Sequence, residues 1–319
     1  MADRSAPVRT AMPTMTLLGS PQLVGLAWVR LAYRLEFDSP LHGIPFFGWG
    51  ALLRSAFGRA LFAVAPRSAE LFMGAHLADD ATRPWWLSIG PMSADSAGGI
   101  RAVDACWTLV GPGIDRLPDV VRAIEDMCRA GFGRDRIPAA PYRAACGLRS
   151  NPVDVDVVHA EQVWALAAAS PASIATTPLR VRAQSPWSVK HGNECLRKAM
   201  PMDILLKACL TRLWAVRRAS GIVTECPVMD AAMQQAWLER AAAWMPLAEN
   251  TRLAQASRWS TRQSRSLPLS GLVGEWSYAS AARIALPWLA LAQNLQLGGK
   301  TTLGFGQLII APDSDVASN

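Results

Sequence analysis

Residues 26–37 read LAWVRLAYRLEF, and from Val29 onward every second position carries a large apolar side chain. The positions between them include the charged residues Arg30, Arg34 and Glu36. This alternation is typical of a β-strand with one buried face. The turn that follows, SPLHGIPFFGWG, leads into a stripe of apolar residues with helical spacing over residues 51–64. The chain is therefore predicted to begin with a strand, a turn and a helix.

The same order of elements occurs twice along the chain. The first half has further predicted strands at 85–90, 103–111 and 155–167 and a helix at 117–130. The second half has predicted strands at 178–184, 252–263, 268–280 and 303–311 and helices at 202–218, 229–245 and 286–296. Two β-α-β-β-α-β units predict an α+β fold with two tandem ferredoxin-like domains. We expect domains at 1–168 and 178–319, joined by a linker at 169–177 that is rich in small residues.

Composition excludes several classes of protein. Of the 319 residues, 51% are hydrophobic, which is enough to build a core and argues against general disorder. The apolar runs are too short to cross a membrane, and prolines interrupt the apolar part of the N-terminus. We therefore expect a soluble, cytoplasmic protein. The six cysteines form no C-x-x-C pair, so the sequence predicts reduced thiols, no metal site and no cofactor.

The net charge of +7 comes from the second half alone. Residues 1–177 contain sixteen Lys and Arg and sixteen Asp and Glu, whereas residues 178–319 contain sixteen against nine. Such asymmetry indicates a half of the protein that binds a polyanion, or a solvated basic face without a ligand.

A Gly-rich segment, LQLGGKTTLGFGQ at residues 295–307, precedes the last predicted strand. Glycine lets successive backbone N–H groups approach a phosphate, and Lys300 adds a positive charge. The segment is not a Walker A loop, because position 294 is Asn where that motif needs Gly. It predicts a phosphate-contacting loop, with Gly306 equally consistent with a simple turn into the strand.

A basic segment, ASRWSTRQSRSLPLS at residues 256–270, lies in the same half. Its cations alternate with Trp, Ser, Thr and Gln, the mixture that suits a single-stranded or hairpin nucleic acid. An edge strand protected by arginines is the alternative. The Gly-rich segment in the same basic half favours RNA binding.

These two segments resemble the C-terminal domain of CRISPR-associated repeat-processing endoribonucleases. RWSTRQSRSLPLSGLVGEWSY and GGKTTLGFGQL carry the resemblance, and TPLRVRAQSPWSVKHGN matches the usual start of that domain. The similarity covers about 178–311 and is weaker over FFGWGALLRSAFGRAL in the first half. These enzymes belong to the wider repeat-associated RNA-binding superfamily of ferredoxin-like folds.

The resemblance implies an RNA-processing activity. A member of this family binds the repeat stem-loop of precursor CRISPR RNA, cuts at its base and often keeps the mature CRISPR RNA within an effector complex with other subunits. The cut is a metal-independent attack by a ribose 2′-hydroxyl, which leaves a 2′,3′-cyclic phosphate and a 5′-hydroxyl. The family's usual catalytic His lies near the first helix, which indicates His42 here.

Further candidates follow from the same chemistry. Tyr33 is a second catalytic candidate, although its strand face favours core packing, and three arginines could stabilise the phosphorane: Arg30, Arg34 and Arg54. Lys190 and His191 form another candidate pair. The predicted RNA-binding residues are Arg258, Arg262, Arg265, Gly298, Gly299, Lys300, Thr301, Thr302, Gly304, Gly306, Lys190, His191 and Lys207. Because SPLHGIP is not a strict motif, a non-catalytic guide-RNA-binding subunit is the alternative function.

Overall fold

A computed structural model of the chain describes residues 22–74, 83–143, 156–170, 176–191, 194–222, 229–260 and 265–311. Its N-terminal unit contains β1 (Ala27–Leu41), α1 (Trp49–Val64), α2 (Pro66–Met73), β2 (Trp85–Ala94), β3 (Ile100–Val110), α3 (Leu117–Ala130) and β4 (Ala139–Arg143). The strands form an antiparallel sheet in the order β2-β3-β1-β4, in which β3 lies between β1 and β2. This is the order of a ferredoxin-like domain, as the sequence predicts.

The fourth strand of this unit differs from the prediction. The chain supplies β4 at Ala139–Arg143, and the predicted strand at 155–167 divides into the short β5 (Asp156–His159) and the helix α4 (Ala160–Ala169). β5 pairs with the first residues of β1. The helix forms because AEQVWALAAA is dominated by alanine, the residue with the highest helix propensity. The sequence pattern predicts a strand for these apolar residues, and this prediction is wrong.

The C-terminal unit repeats the architecture. Its elements are β6 (Leu179–Trp187), β7 (Lys190–His191), β8 (Glu194–Cys195), α5 (Met202–Ala219), α6 (Ala231–Ala242), β9 (Ala248–Ser260), β10 (Arg265–Tyr278), α7 (Leu286–Leu295) and β11 (Leu308–Ala311). The main antiparallel sheet has the order β11-β6-β10-β9, and β7 pairs with β8 as a separate small ribbon. The last strand is shorter than the predicted 303–311, because Thr301–Leu303 forms a 3₁₀ turn. The tandem ferredoxin-like fold is confirmed.

The two units share one hydrophobic core. Trp28, Trp86 and Val110 belong to the N-terminal sheet, but they pack into the core formed by β6, α5 and α7. Helix α4 joins the same core, and its Trp164 meets Trp288 of α7 edge-on with ring centroids 4.9 Å apart. A second core lies between the other face of the N-terminal sheet and helices α1 and α3. The arrangement therefore fixes one unit against the other.

Polar contacts cross the same interface. Gln296, directly after α7, donates from Nε2 to the carbonyl of Leu87 at 3.0 Å and to Ser88 Oγ at 2.6 Å. The Arg212 guanidinium donates to the carbonyl of Leu295 and lies 4.9 Å from the centroid of the Trp86 ring. Burial lowers the pKa of Arg212 to about 10, so this side chain stays protonated at neutral pH. These contacts hold the Gly-rich segment against β2.

Candidate nucleic-acid interface

His42 lies at the surface, directly after β1, in the turn that leads to α1. Its imidazole rests on the tip of the β2–β3 hairpin, where a Cβ atom at Gly99 would come within 2.7 Å of His42 Nε2. The Asp95 carboxylate in that tip accepts hydrogen bonds from the N–H groups of Gly99 at 2.8 Å and Ala97 at 3.0 Å. These bonds lower the pKa of Asp95, and the nearby His42 adds to the shift. His42 and the Asp95 carboxylate thus lie at the same end of the β2–β3 hairpin.

The Gly-rich loop packs closely against the rest of the protein. Gly298, Lys300, Gly304 and Gly306 all have positive φ, between 65° and 83°. At Gly306 a side chain would overlap the carbonyl of Leu297, and at Gly298 it would overlap the carbonyl of Ser188 at 2.5 Å. The 3₁₀ turn Thr301–Leu303 contacts β2 and α1. Gly298 and Gly306 therefore allow close backbone packing within the C-terminal unit, whereas Gly304 lies against Ile89 and Gly50 of the N-terminal unit.

This packing corrects the prediction of an open phosphate-binding loop. Thr301, Gly304 and Gly306 are buried, so they shape the loop and do not offer a surface to RNA. Gly299 is exposed, and three further positions are half-buried: Gly298, Lys300 and Thr302. Direct contact with RNA stays a prediction for the exposed side of the loop, which is centred on Gly299 and Lys300. The Lys300 ammonium lies 5.7 Å from the centroid of the Phe305 ring.

The basic segment forms the end of the β9–β10 hairpin. Arg258 pairs with Leu267, and Arg265 pairs with Ser260, in an unbroken antiparallel register. For Arg258 and Arg265 the structure describes only the backbone, and Arg262 lies outside the described residues. The hairpin predicted from the sequence is present, and the RNA contacts of its three arginines stay a prediction.

The hairpin, the Gly-rich loop and the start of α1 meet at one small apolar cluster. Leu269 of β10 packs against Leu303 and Phe305, with Ala51 of α1 against the same group. Leu269 is the β-sheet partner of Ala256, which precedes Arg258 by two residues. The basic end of β9 therefore lies near the first turn of α1, and β9 also contacts the Phe46–Gly48 turn that precedes this helix.

The other catalytic candidates occupy different environments. Tyr33 is only 3% exposed and packs edge-on against Trp107 in the N-terminal core, which favours core packing over a catalytic role. Arg34 lies on the outer face of the sheet, where it pairs with Asp104 at 3.1 Å and with Glu36 at 3.2 Å. Arg30 in β1 and Arg54 in α1 are half-buried. The three arginines thus lie on two elements, β1 and α1.

The remaining basic candidates lie in the C-terminal unit. Lys190 is exposed on β7, and His191 follows it with only its backbone described. Lys207 is exposed on α5 and forms an ion pair with Asp203 at 2.9 Å. Because this partner is held in the same helix, Lys207 is partly neutralised before any phosphate approaches.

Two residues of this region were missed in the sequence. Phe46 is 53% exposed in the turn after His42, and Asp95 lies beside that histidine. The two adjacent phenylalanines in HGIPFFGWG, a turn rich in Gly and Pro, were the available signal for Phe46. No sequence signal connects Asp95 to His42, because the hairpin contact is 53 residues away along the chain.

Comparison with known families identifies the C-terminal unit. Residues 176–308 match the family of the CRISPR-associated endoribonuclease Cas6. The predicted family resemblance is confirmed. This Cas6-like match covers the β9–β10 hairpin and the Gly-rich loop, the two segments that carried the resemblance in the sequence. No curated protein matches the sequence at a significant level.

Solved structures resemble most of the chain in fold. Thermus thermophilus Cas6 (TTHB231) has a TM-score of 0.58 and 16% identity, with 90% of this chain and 99% of that chain covered. A Cas6 (TTHA0078) product complex has a TM-score of 0.51 and 20% identity over 90% of this chain and all of the other. A partial Cas6-RT-Cas1–Cas2 complex has a TM-score of 0.53 and 13% identity, with 92% of this chain and 47% of the other covered. These likenesses establish the shared fold.

Two searches of the described residues were negative. In that part of the chain, no helix is long and apolar enough to cross a membrane. Among the same residues, His, Cys, Asp and Glu side chains form no group of three or more that could hold a metal ion. Cys106, Cys128 and Cys209 are free thiols in the interior.

Proposed function

We propose that this protein matures CRISPR RNA by cutting the precursor at the base of its repeat hairpin. The observation that carries the proposal is the match of residues 176–308 to the Cas6 endoribonuclease family. In the proposed reaction a ribose 2′-oxygen attacks the adjacent phosphorus, and the bond to the 5′-oxygen of the next nucleotide breaks. The products are a 2′,3′-cyclic phosphate and a 5′-hydroxyl, and no metal ion takes part.

His42 is the residue that we assign to proton transfer. An exposed imidazole can approach RNA, and histidine is the side chain that most often serves as a general acid or base. The contact with Gly99 restricts the orientation of the imidazole ring, which favours proton transfer at one defined ring nitrogen. The Asp95 carboxylate lies at the same hairpin tip, where it accepts a hydrogen bond from the Gly99 N–H. Arg30, Arg34 and Arg54 are the candidates for a cation near the phosphorane.

Binding is assigned to the C-terminal unit. The β9–β10 hairpin brings the backbones of Arg258 and Arg265 to the edge of a sheet, with Arg262 in the connection between them. Lys300 and Gly299 present the accessible side of the Gly-rich loop near the same place. Cations spaced along one edge can contact successive phosphates of an RNA stem. In this proposal residues 178–319 hold the hairpin and residues 1–168 supply the groups that cut it.

Retention of the cut RNA within an effector complex is part of the same proposal. A partial Cas6-RT-Cas1–Cas2 complex is among the structures with this fold, and the proposal extends such association with other CRISPR proteins to this chain. The second candidate function is a guide-RNA-binding subunit without catalysis, which is favoured by the lack of a strict motif around His42 in SPLHGIP.

The test uses the full-length protein and a labelled repeat hairpin in EDTA. We expect a single cut with a cyclic-phosphate end, and no cut when the nucleotide before the scissile bond is a 2′-deoxynucleotide. A requirement for added metal would contradict the proposed chemistry. Tight binding without any cut, with or without metal, would support the guide-RNA-binding subunit instead.

The matched variants are His42→Ala and His159→Ala, since both side chains are exposed but His159 lies at the end of β5. Loss of a general acid or base lowers the rate by at least about 100-fold. We expect this loss for His42→Ala with unchanged RNA binding, and a normal rate for His159→Ala. A normal rate for both would remove His42 from the mechanism.

A further inference from the structure

Phe46 is an exposed aromatic ring on a rigid support. It begins the one-turn 3₁₀ helix Phe46–Gly48, which is closed by a hydrogen bond from the Gly48 N–H to the carbonyl of Pro45 at 2.7 Å. Its ring meets the half-buried Phe47 edge-on, with centroids 5.1 Å apart and planes at 85°. Pro45 also packs on the backbone of Gly48. The ring is therefore held in place while 53% of the side chain stays in solvent.

The position of this ring matters more than its exposure, because single exposed apolar side chains are common on protein surfaces. The Phe46–Gly48 turn contacts β9, the strand whose end carries Arg258. His42 precedes Phe46 by four residues, so their Cα atoms are at most about 14 Å apart. Phe46 is thus close along the chain to the residue assigned to proton transfer, and its turn contacts the strand assigned to phosphate binding.

We propose that Phe46 is a stacking platform for an unpaired nucleobase of the RNA next to the scissile phosphate. This inference rests on the proposed function and adds the contact that positions the nucleotide. Every base has an aromatic face, so stacking on a fixed ring binds a base without reading its identity. In-line attack requires the nucleotide at the cut to leave the regular helical stack, and a platform stabilises the base in that position. A preordered ring loses little side-chain entropy on binding.

Fluorescence of 2-aminopurine tests this contact directly. The analogue is placed, one position at a time, at the nucleotides on either side of the cut in a repeat hairpin made uncleavable by one 2′-deoxynucleotide. We expect the wild-type protein to quench the fluorescence at one of these positions. Phe46→Ala removes the quenching and weakens binding about tenfold, whereas Phe46→Tyr, which keeps an aromatic ring, restores both.

The control variant is Phe62→Ala, because Phe62 is 51% exposed near the other end of α1. It should leave quenching, affinity and cleavage unchanged. Both alanine variants should also keep the thermal unfolding temperature, since each removes a side chain that is about half in solvent. Quenching that is equal in wild type and Phe46→Ala overturns the inference while leaving RNA cleavage by the protein intact. A wild-type protein that binds no repeat hairpin overturns both the inference and the proposed function.

Discussion

Gly50 in the first turn of α1 lies directly against the carbonyl group of Leu303 in the Gly-rich loop. A Cβ atom at position 50 would overlap that oxygen and would come within 2.5 Å of its carbon. The contact joins the first helix of the N-terminal unit to the segment that precedes the last strand of the C-terminal unit. Each side of this contact has a glycine. Gly50 leaves room for the carbonyl group of Leu303, and Gly304, the next residue after Leu303, has a positive φ of 78°.

The first prediction concerns this contact. Gly50→Ala should lower the free energy of unfolding by about 1–3 kcal/mol, because a methyl group has to push two backbones apart. Gly58→Ala in the same helix is the control, since a Cβ there meets only the flexible side chain of Met73 at 3.4 Å. The control should gain up to about 1 kcal/mol from better helix propensity. Urea unfolding followed by tryptophan fluorescence measures both, and equal stabilities would show that the interface yields to the methyl group.

The hydrogen bonds of Gln296 give a second prediction. Gln296→Leu keeps the volume of the side chain but leaves the buried carbonyl of Leu87 without this donor, which costs about 1–3 kcal/mol. Ser88→Ala removes only one acceptor of the same amide and should cost less. A double-mutant cycle by urea unfolding should therefore show that the two losses are not additive. Additive losses would mean that the amide does not connect the two units as described.

Local pattern was enough to predict most of the elements. The alternation at 26–37 predicted β1, and the apolar spacing over 117–130 predicted α3 with the observed bounds. The tandem order of strands followed, because each ferredoxin-like unit needs only local pattern and a turn to define it. The prediction of a strand at Ala160–Ala169 was wrong, because an apolar run alone does not distinguish a buried strand from a helix.

The role of the Gly-rich loop could not be predicted from local pattern. Glycines with positive φ are equally suited to a phosphate and to a neighbouring backbone, and only the tertiary neighbours decide between them, which are Ile89 of β2 at Gly304 and Leu297 of the same loop at Gly306. The contact of His42 with Gly99 is likewise a product of tertiary structure. The sequence thus located the segments of the candidate site, whereas their burial depended on how the two units pack.

A third prediction concerns the stability of the N-terminal unit as pH changes. Ser68 Oγ donates to Asp119 Oδ2 at 2.5 Å, and this bond lowers the pKa of Asp119 together with the adjacent Arg122. A lowered folded-state pKa stabilises the protein above the unfolded-state pKa, and the stabilisation disappears as pH falls through the folded-state pKa. Ser68→Ala should therefore cost about 1.5 kcal/mol at pH 7 and much less in acid. Urea unfolding at a series of pH values measures the difference, and a difference that does not change with pH would contradict this assignment.

The last prediction tests the basic hairpin. If Arg258 and Arg262 each neutralise one phosphate, replacing both by alanine removes two counterion-releasing contacts. The slope of the logarithm of the RNA-binding constant against the logarithm of salt concentration should then become shallower by about 1.5. The control is the double variant Arg122→Ala/Arg129→Ala, which removes the same charge from exposed positions on α3 where no RNA contact is proposed. Because net charge falls equally in both variants, a loss of slope for the hairpin variant alone assigns the phosphate contacts to the hairpin. An equal change in both would mean that RNA responds only to the overall charge of the protein, and the β9–β10 hairpin would no longer be its binding surface.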